Sequence, residues 1–216
     1  MEYTHFLLLF GVGIIAGFIN VMAGGGSSIT LPALIFLGLD GALANGTNRI
    51  AIFIQNIFAI SSFRQKKVHQ FKNSFLLALW TLPGAVVGAL VAVGISDEWF
   101  RDILAVVMLG IVVSMFFTPV GKSGGQNVVL QKKPFLIYPV LLAIGFYGGF
   151  LQVGVGFLFM ASLYHILKFN LVHVNMHKVF IIFIYTIPAL AIFIYSGNVN
   201  WGLGLSLAAG NAFGGW

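Results

Sequence analysis

The chain has 216 residues, of which 59% are hydrophobic and only 7% charged, and its mean hydropathy is +1.01. A soluble domain carries about a quarter charged residues, so this composition excludes a water-facing surface of ordinary kind. The lack of cysteine excludes disulfide frameworks, thiolate metal sites and thiol catalysis, and the 11 basic residues behind the net charge of +6 are too scattered to form a nucleic-acid face.

Uncharged runs cover residues 6–39, 50–63, 73–96, 103–121, 134–167 and 179–216. They predict an all-α membrane protein, a polytopic helical bundle in the lipid bilayer. Runs 73–96 and 103–121 each fit one crossing of a ~30 Å hydrocarbon core. Runs 6–39 and 134–167 would reach about 51 Å as single helices, too far for one crossing. Each is expected to break at glycine, the first at Gly24, Gly25 and Gly26 and the second at Gly154 and Gly156. Helices should restart at Ser27, capped by the serines 27 and 28, and at Phe157. Residues 1–5 carry no Lys or Arg, which argues against a cleavable signal peptide.

Charge sets the expected orientation. Segments 64–72 and 118–134 hold Arg64, Lys66, Lys67, Lys72, Lys122, Lys132 and Lys133 and read as cytoplasmic loops. The loop 96–102, with Asp97, Glu98, Arg101 and Asp102, then faces outward, as do the N-terminus and Asp40. All five acids fall outside and eight of the 11 bases inside.

The chain also repeats. Gly13, Gly17 and Gly24 recur as Gly145, Gly149 and Gly156 at a spacing of 132, and Asn20 recurs as the amide Gln152. Asn45 and Arg49 recur as Asn175 and Lys178, and the GxxxG pair Gly84 and Gly88 recurs as Gly210 and Gly214. GxxxG spacing lets helices approach closely. An odd helix between the copies inverts the second against the first. The expected organisation is a first inverted repeat at 1–96, a connecting outer loop, helix and basic loop at 97–133, and a second inverted repeat at 134–216. The second copy stops earlier than the first, so the chain is expected to lack one helix or more. Inverted repeats with interrupted helices place substrate near the midplane of secondary transporters.

The stretch GFINVMAGGGSSITLPALIFLGL, ANGTNR at 44–49, GFYGGFLQVGVGFLF at 145–159, VNMHK at 174–178 and SGNVNW at 196–201 resemble the sulfite exporter TauE/SafE family of membrane proteins. The resemblance covers nearly the whole chain. It implies a secondary transporter that exports sulfite, an organosulfonate or a related small anion across the inner membrane by alternating access. Val174 stands where the family pattern has alanine.

The candidate site follows from charge scarcity. Arg49 and Lys178 are expected to begin their helical segments, with no acid in any span to neutralise them; a bound anion is the natural partner. Helix N-termini at the two glycine breaks would aim positive dipole ends at the same place. Asn20, Asn45, Thr47, Asn48, Gln152, Asn175 and His177 add polar groups, and Gln55, Asn56 and Tyr185 could line a path. The competing readings are head-group snorkelling by the two bases, tight glycine packing and interhelical amide contacts. No HExxH, GxSxG, Walker A or paired carboxylates occur, so neither an enzyme nor a metal or cofactor site is expected. Alternatives to sulfite export are a non-transporting membrane scaffold and a permease for another anion such as a carboxylate. A homo-oligomer is compatible with either.

Overall fold

The computed structural model describes residues 3–68, 70–117 and 134–216, with backbone alone over 114–117. Among the described residues are nine helices and no strand: α1 (Tyr3–Met22), α2 (Ser27–Phe36), α3 (Gly41–Gln65), α4 (Phe71–Gly94), α5 (Asp97–Phe117), α6 (Ile137–Phe150), α7 (Val155–His165), α8 (Leu171–Tyr195) and α9 (Trp201–Gly215). Helices α1, α4 and α8 are each long and apolar enough to cross a bilayer. Apolar side chains such as Phe36, Val106, Leu109 and Phe213 are turned outward, as an all-α membrane protein requires. The basic segment 118–133 and Glu2 lie outside the described residues.

Both long runs break. α1 ends at Met22 and α2 starts at Ser27, as the sequence suggests; α6 ends at Phe150 and α7 starts at Val155, two residues before the expected restart. Gly24 and Gly154 take positive φ values of 85° and 66°, and Gln152 does the same at 64° without the freedom of glycine. The serines do not cap α2. Gly26 is already helical, and the Ser28 and Ile29 amides donate to the carbonyls of Gly25 and Gly26, so the helix begins winding before a serine could act.

Two further expectations are corrected. Arg49 and Lys178 do not begin helices: α3 starts at Gly41 and α8 at Leu171, so each base lies about two turns inside. An uncharged run marks where charge stops, whereas the helix starts are set by the extended residues Asp40 and Asn170. Residues 97–102 are helical, because α5 opens at Asp97 with two acids in its first turn, where the helix dipole favours them. Asp97 accepts from Arg101 Nε at 2.6 Å and from the Gly41 amide, which pins the start of α3 to the start of α5.

Facing glycines hold the bundle. α1 lies along α9 and α4 along α6. A Cβ on Gly13 would come within 2.7 Å of the Leu207 carbonyl oxygen, and one on Gly17 within 2.9 Å of Asn211 Cα. On the other seam, a Cβ on Gly88 would sit 2.7 Å from the Phe150 amide nitrogen and one on Gly149 2.6 Å from Ala85 Cα. Backbone therefore meets backbone along both seams, and α3 and α8 pack between them with Phe53 stacked on Phe183.

Gly149→Val should destabilise the detergent-solubilised protein by about 1–3 kcal/mol through forced separation of α4 and α6. Gly110→Ala, which adds a methyl to open space, should leave thermal unfolding unchanged or slightly raised.

Candidate functional site

The last carbonyls of a helix have no partner within it. At the end of α6 all are met. The Tyr147 oxygen takes the Leu151 and Gln152 amides. Arg49 donates from one terminal nitrogen to the Gly148 oxygen at 3.1 Å and from the other to the Gly149 oxygen. Asn45, one turn earlier on α3, donates to the Phe150 oxygen at 2.7 Å. The guanidinium also lies over the Phe193 ring, 4.6 Å from its centroid, a cation–π contact.

At the end of α1 three carbonyls are met in a related manner. The Ile19 oxygen takes the Ala23 and Gly24 amides. The Lys178 ammonium donates to the Asn20 oxygen at 3.2 Å, the Val21 oxygen at 3.0 Å and Asn175 Oδ1 at 2.8 Å. Arg49 is fully buried and Lys178 is 1% exposed, which removes the snorkelling reading for both. A charged residue at membrane depth is costly, and hydrogen bonds to a charged group are worth about 1.5–3 kcal/mol each, so the carbonyls and cations stabilise one another.

Around these two bases the expected polar residues form two groups. Arg49 gathers Asn45, Gln152 and Tyr185. The Tyr185 hydroxyl abuts Gly148, and the Gln152 amide donates to Thr186 at 3.3 Å. Lys178 gathers Asn175, Asn20 and Gln55, with Asn20 donating to Gln55 Oε1 at 3.0 Å and Gln55 to the Gly17 oxygen at 3.3 Å. The breaks touch: a Cβ on Gly24 would fall 2.6 Å from Gly156 Cα, and one on Gly25 would meet the Phe157 ring. Gly26 packs on Asn20, and Gly154 on Ile111 of α5.

Four expected residues turn elsewhere or stand apart. Thr47 accepts from the Asn200 amide at 2.9 Å, at the start of α9. Asn48 accepts from Thr30 at 2.7 Å. His177 faces α4, 2.8 Å from Ser74 and stacked on Phe169, on the side of α8 away from Lys178's partners. Asn56 is buried in α3 with its amide nitrogen unpartnered. Thr30, Ser74, Thr186, Asn211 and the Gly148–Gly149 carbonyls were not expected. The paired glycines at a helix end were the readable signal for the last; isolated polar letters in apolar runs gave none for the others.

A cavity of about 400 Å³ opens beside the second group, lined by Ala59, Ser62, Lys66, Val172, Asn175 and Trp216 among others. It runs from the basic end of α3 to Asn175, the side-chain acceptor of Lys178. No group of three or more potential metal ligands occurs among the described residues.

A helical bundle in the membrane, with interrupted helices and bases buried where they break, belongs to the class of membrane transporters rather than enzymes, and the comparisons with known proteins agree. The family model described as Sulfite exporter TauE/SafE matches residues 9–216, and the chain belongs to that family. It is 30% identical over 209 residues to a "Probable membrane transporter protein" of Haemophilus influenzae, covering 96% of this chain and 81% of that protein. It is 30% identical over 207 residues to the "Probable membrane transporter protein ORF9" of Sinorhizobium, covering 95% and 78%. It is 29% identical over 210 residues to the "Probable membrane transporter protein YfcA" of Escherichia coli, covering 96% and 77%. No solved structure matches the chain significantly.

Arg49→Ala should leave the Gly148 and Gly149 carbonyls buried and unmet, at a cost of about 1–3 kcal/mol for each. Thermal unfolding in detergent should fall well below wild type for Arg49→Ala and stay near it for Arg64→Ala, which removes an exposed base.

Proposed function

We propose that the protein exports a small anion, sulfite or an organosulfonate, across the inner membrane by alternating access between inverted repeats at 1–96 and 134–216, with 97–133 connecting them. The observation that carries this reading is the pair of buried bases. The one ion pair among the described residues is Arg101 with Asp97, so neither Arg49 nor Lys178 has a carboxylate partner. Each instead holds the broken end of a helix from the other proposed repeat. Such a site has spare positive charge in a low-dielectric interior, which suits an anion.

The seams support the repeats. α1 packs on α9 through Gly13, Gly17, Gly210 and Gly214, and α4 packs on α6 through Gly84, Gly88, Gly145 and Gly149. Each seam joins the first helix of one proposed repeat to the glycine-paired helix of the other, as a two-fold relation demands. With segments 64–72 and 118–134 cytoplasmic and the N-terminus outside, the cavity at Lys66 and Asn175 is an inward vestibule. An inside-negative potential then drives anion export, at about 2.3 kcal/mol per charge per 100 mV.

In proteoliposomes with the protein's cytoplasmic face toward the lumen, saturable sulfite efflux should rise when the lumen is made negative and vanish in protein-free vesicles. Efflux that ignores both the potential and the protein contradicts this function, and carboxylate efflux in its place would reassign the substrate.

A further inference from the structure

We infer that the two buried bases divide the work: Arg49 is the ligand for the anion, and Lys178 is a positioning residue that fixes the end of α1. This rests on the anion-transport reading above. An ammonium has three N–H donors, and Lys178 places its nitrogen within 3.2 Å of three oxygens, those of Asn20, Val21 and the Asn175 side chain. An anion reaching Lys178 has to expel one of them, and two are helix-end carbonyls with no other partner to turn to. A guanidinium has five N–H donors. Arg49 uses its terminal nitrogens on Gly148 and Gly149, while its Nε is buried without a partner.

The surroundings differ in the same sense. Asn45 Oδ1 and Gln152 Oε1, both fully buried, lack partners beside Arg49. Each amide NH₂ has a second N–H beyond the one it gives to the Phe150 oxygen or to Thr186, and that donor can serve an oxyanion. Around Lys178, the side chains of Asn20, Gln55 and Asn175 are committed to one another or to the ammonium.

The two grips are also out of register. At the repeat spacing of 132, Gly148 and Gly149 correspond to Ala16 and Gly17, but Lys178 holds Asn20 and Val21, one turn further along. The bases are thus not interchangeable halves of one symmetric clamp. The small oxyanion is taken at Arg49, between α3 and the α6 break, and Lys178 holds the α1 end in place.

The test combines calorimetric titration of sulfite into the purified full chain with flux in proteoliposomes, for wild type, Arg49→Lys, Lys178→Met and Lys178→Arg. Arg49→Lys should weaken binding about tenfold or more. Lys178→Met should keep Kd within about twofold and lower maximal flux at unchanged KM, and Lys178→Arg should restore part of that flux, since a guanidinium can also hold two carbonyls. Loss of binding in Lys178→Met equal to that in Arg49→Lys overturns the division while leaving anion transport standing. Unchanged binding in Arg49→Lys overturns the assignment of Arg49. A wild-type protein that binds no sulfite, sulfonate or carboxylate overturns the anion reading itself, and the division with it. If Lys178→Met does not purify as a single species, Lys178→Arg decides alone: retained Kd upholds the positioning role and lost binding overturns it.

Discussion

A cation buried in a membrane protein without a carboxylate must be met by neutral oxygen. That requirement organises this molecule. Arg49 and Lys178 have no acid partner, and the oxygens that meet them are main-chain carbonyls released where α6 and α1 stop short. The two problems solve each other, because an unfinished helix end in hydrocarbon is as costly as an unpaired base. Were α1 or α6 continuous, its carbonyls would be consumed internally and the base would be stranded. Were the base absent, the break would expose carbonyls to an apolar interior.

Close glycine packing is what brings the partners together. Arg49 on α3 reaches α6 because α6 is drawn against α4 along a seam with no side chains, and Lys178 on α8 reaches α1 because α1 is drawn against α9 in the same way. A methyl on either seam separates backbones by more than a hydrogen bond tolerates. The contact of Gly24 with Gly156 then sets the two breaks against each other, so the starts of α2 and α7 meet in the middle of the bundle. A side chain at either glycine would push the two breaks apart.

Much of this was legible in the sequence, and the rest was hidden for physical reasons. Run lengths of 34 residues and their glycines located both breaks, and the scarcity of charge singled out the two bases. A GxxxG spacing announces a close approach but does not say to which helix, so the exchange of partners between α1 and α9 and between α4 and α6 was out of reach. The partners of the bases were invisible because a backbone carbonyl has no letter of its own. Only Gly148 and Gly149 hinted that carbonyls there stand open. Charge misplaces the helix starts because a base such as Arg49 marks an edge in the sequence, whereas in the fold it is an interior residue whose donors are met by carbonyls. His177 neighbours Lys178 in sequence, yet the turn of α8 sends it to Ser74.

An anion held at Arg49, as proposed, can be located directly. Selenite shares the shape and charge of sulfite and can be located by anomalous scattering in crystals of the full chain. One peak within hydrogen-bond reach of Arg49 Nε and the Gln152 amide, with Lys178 still on the Asn20 and Val21 carbonyls, is the predicted result. A peak on Lys178 with its carbonyls released, and nothing at Arg49, would contradict it.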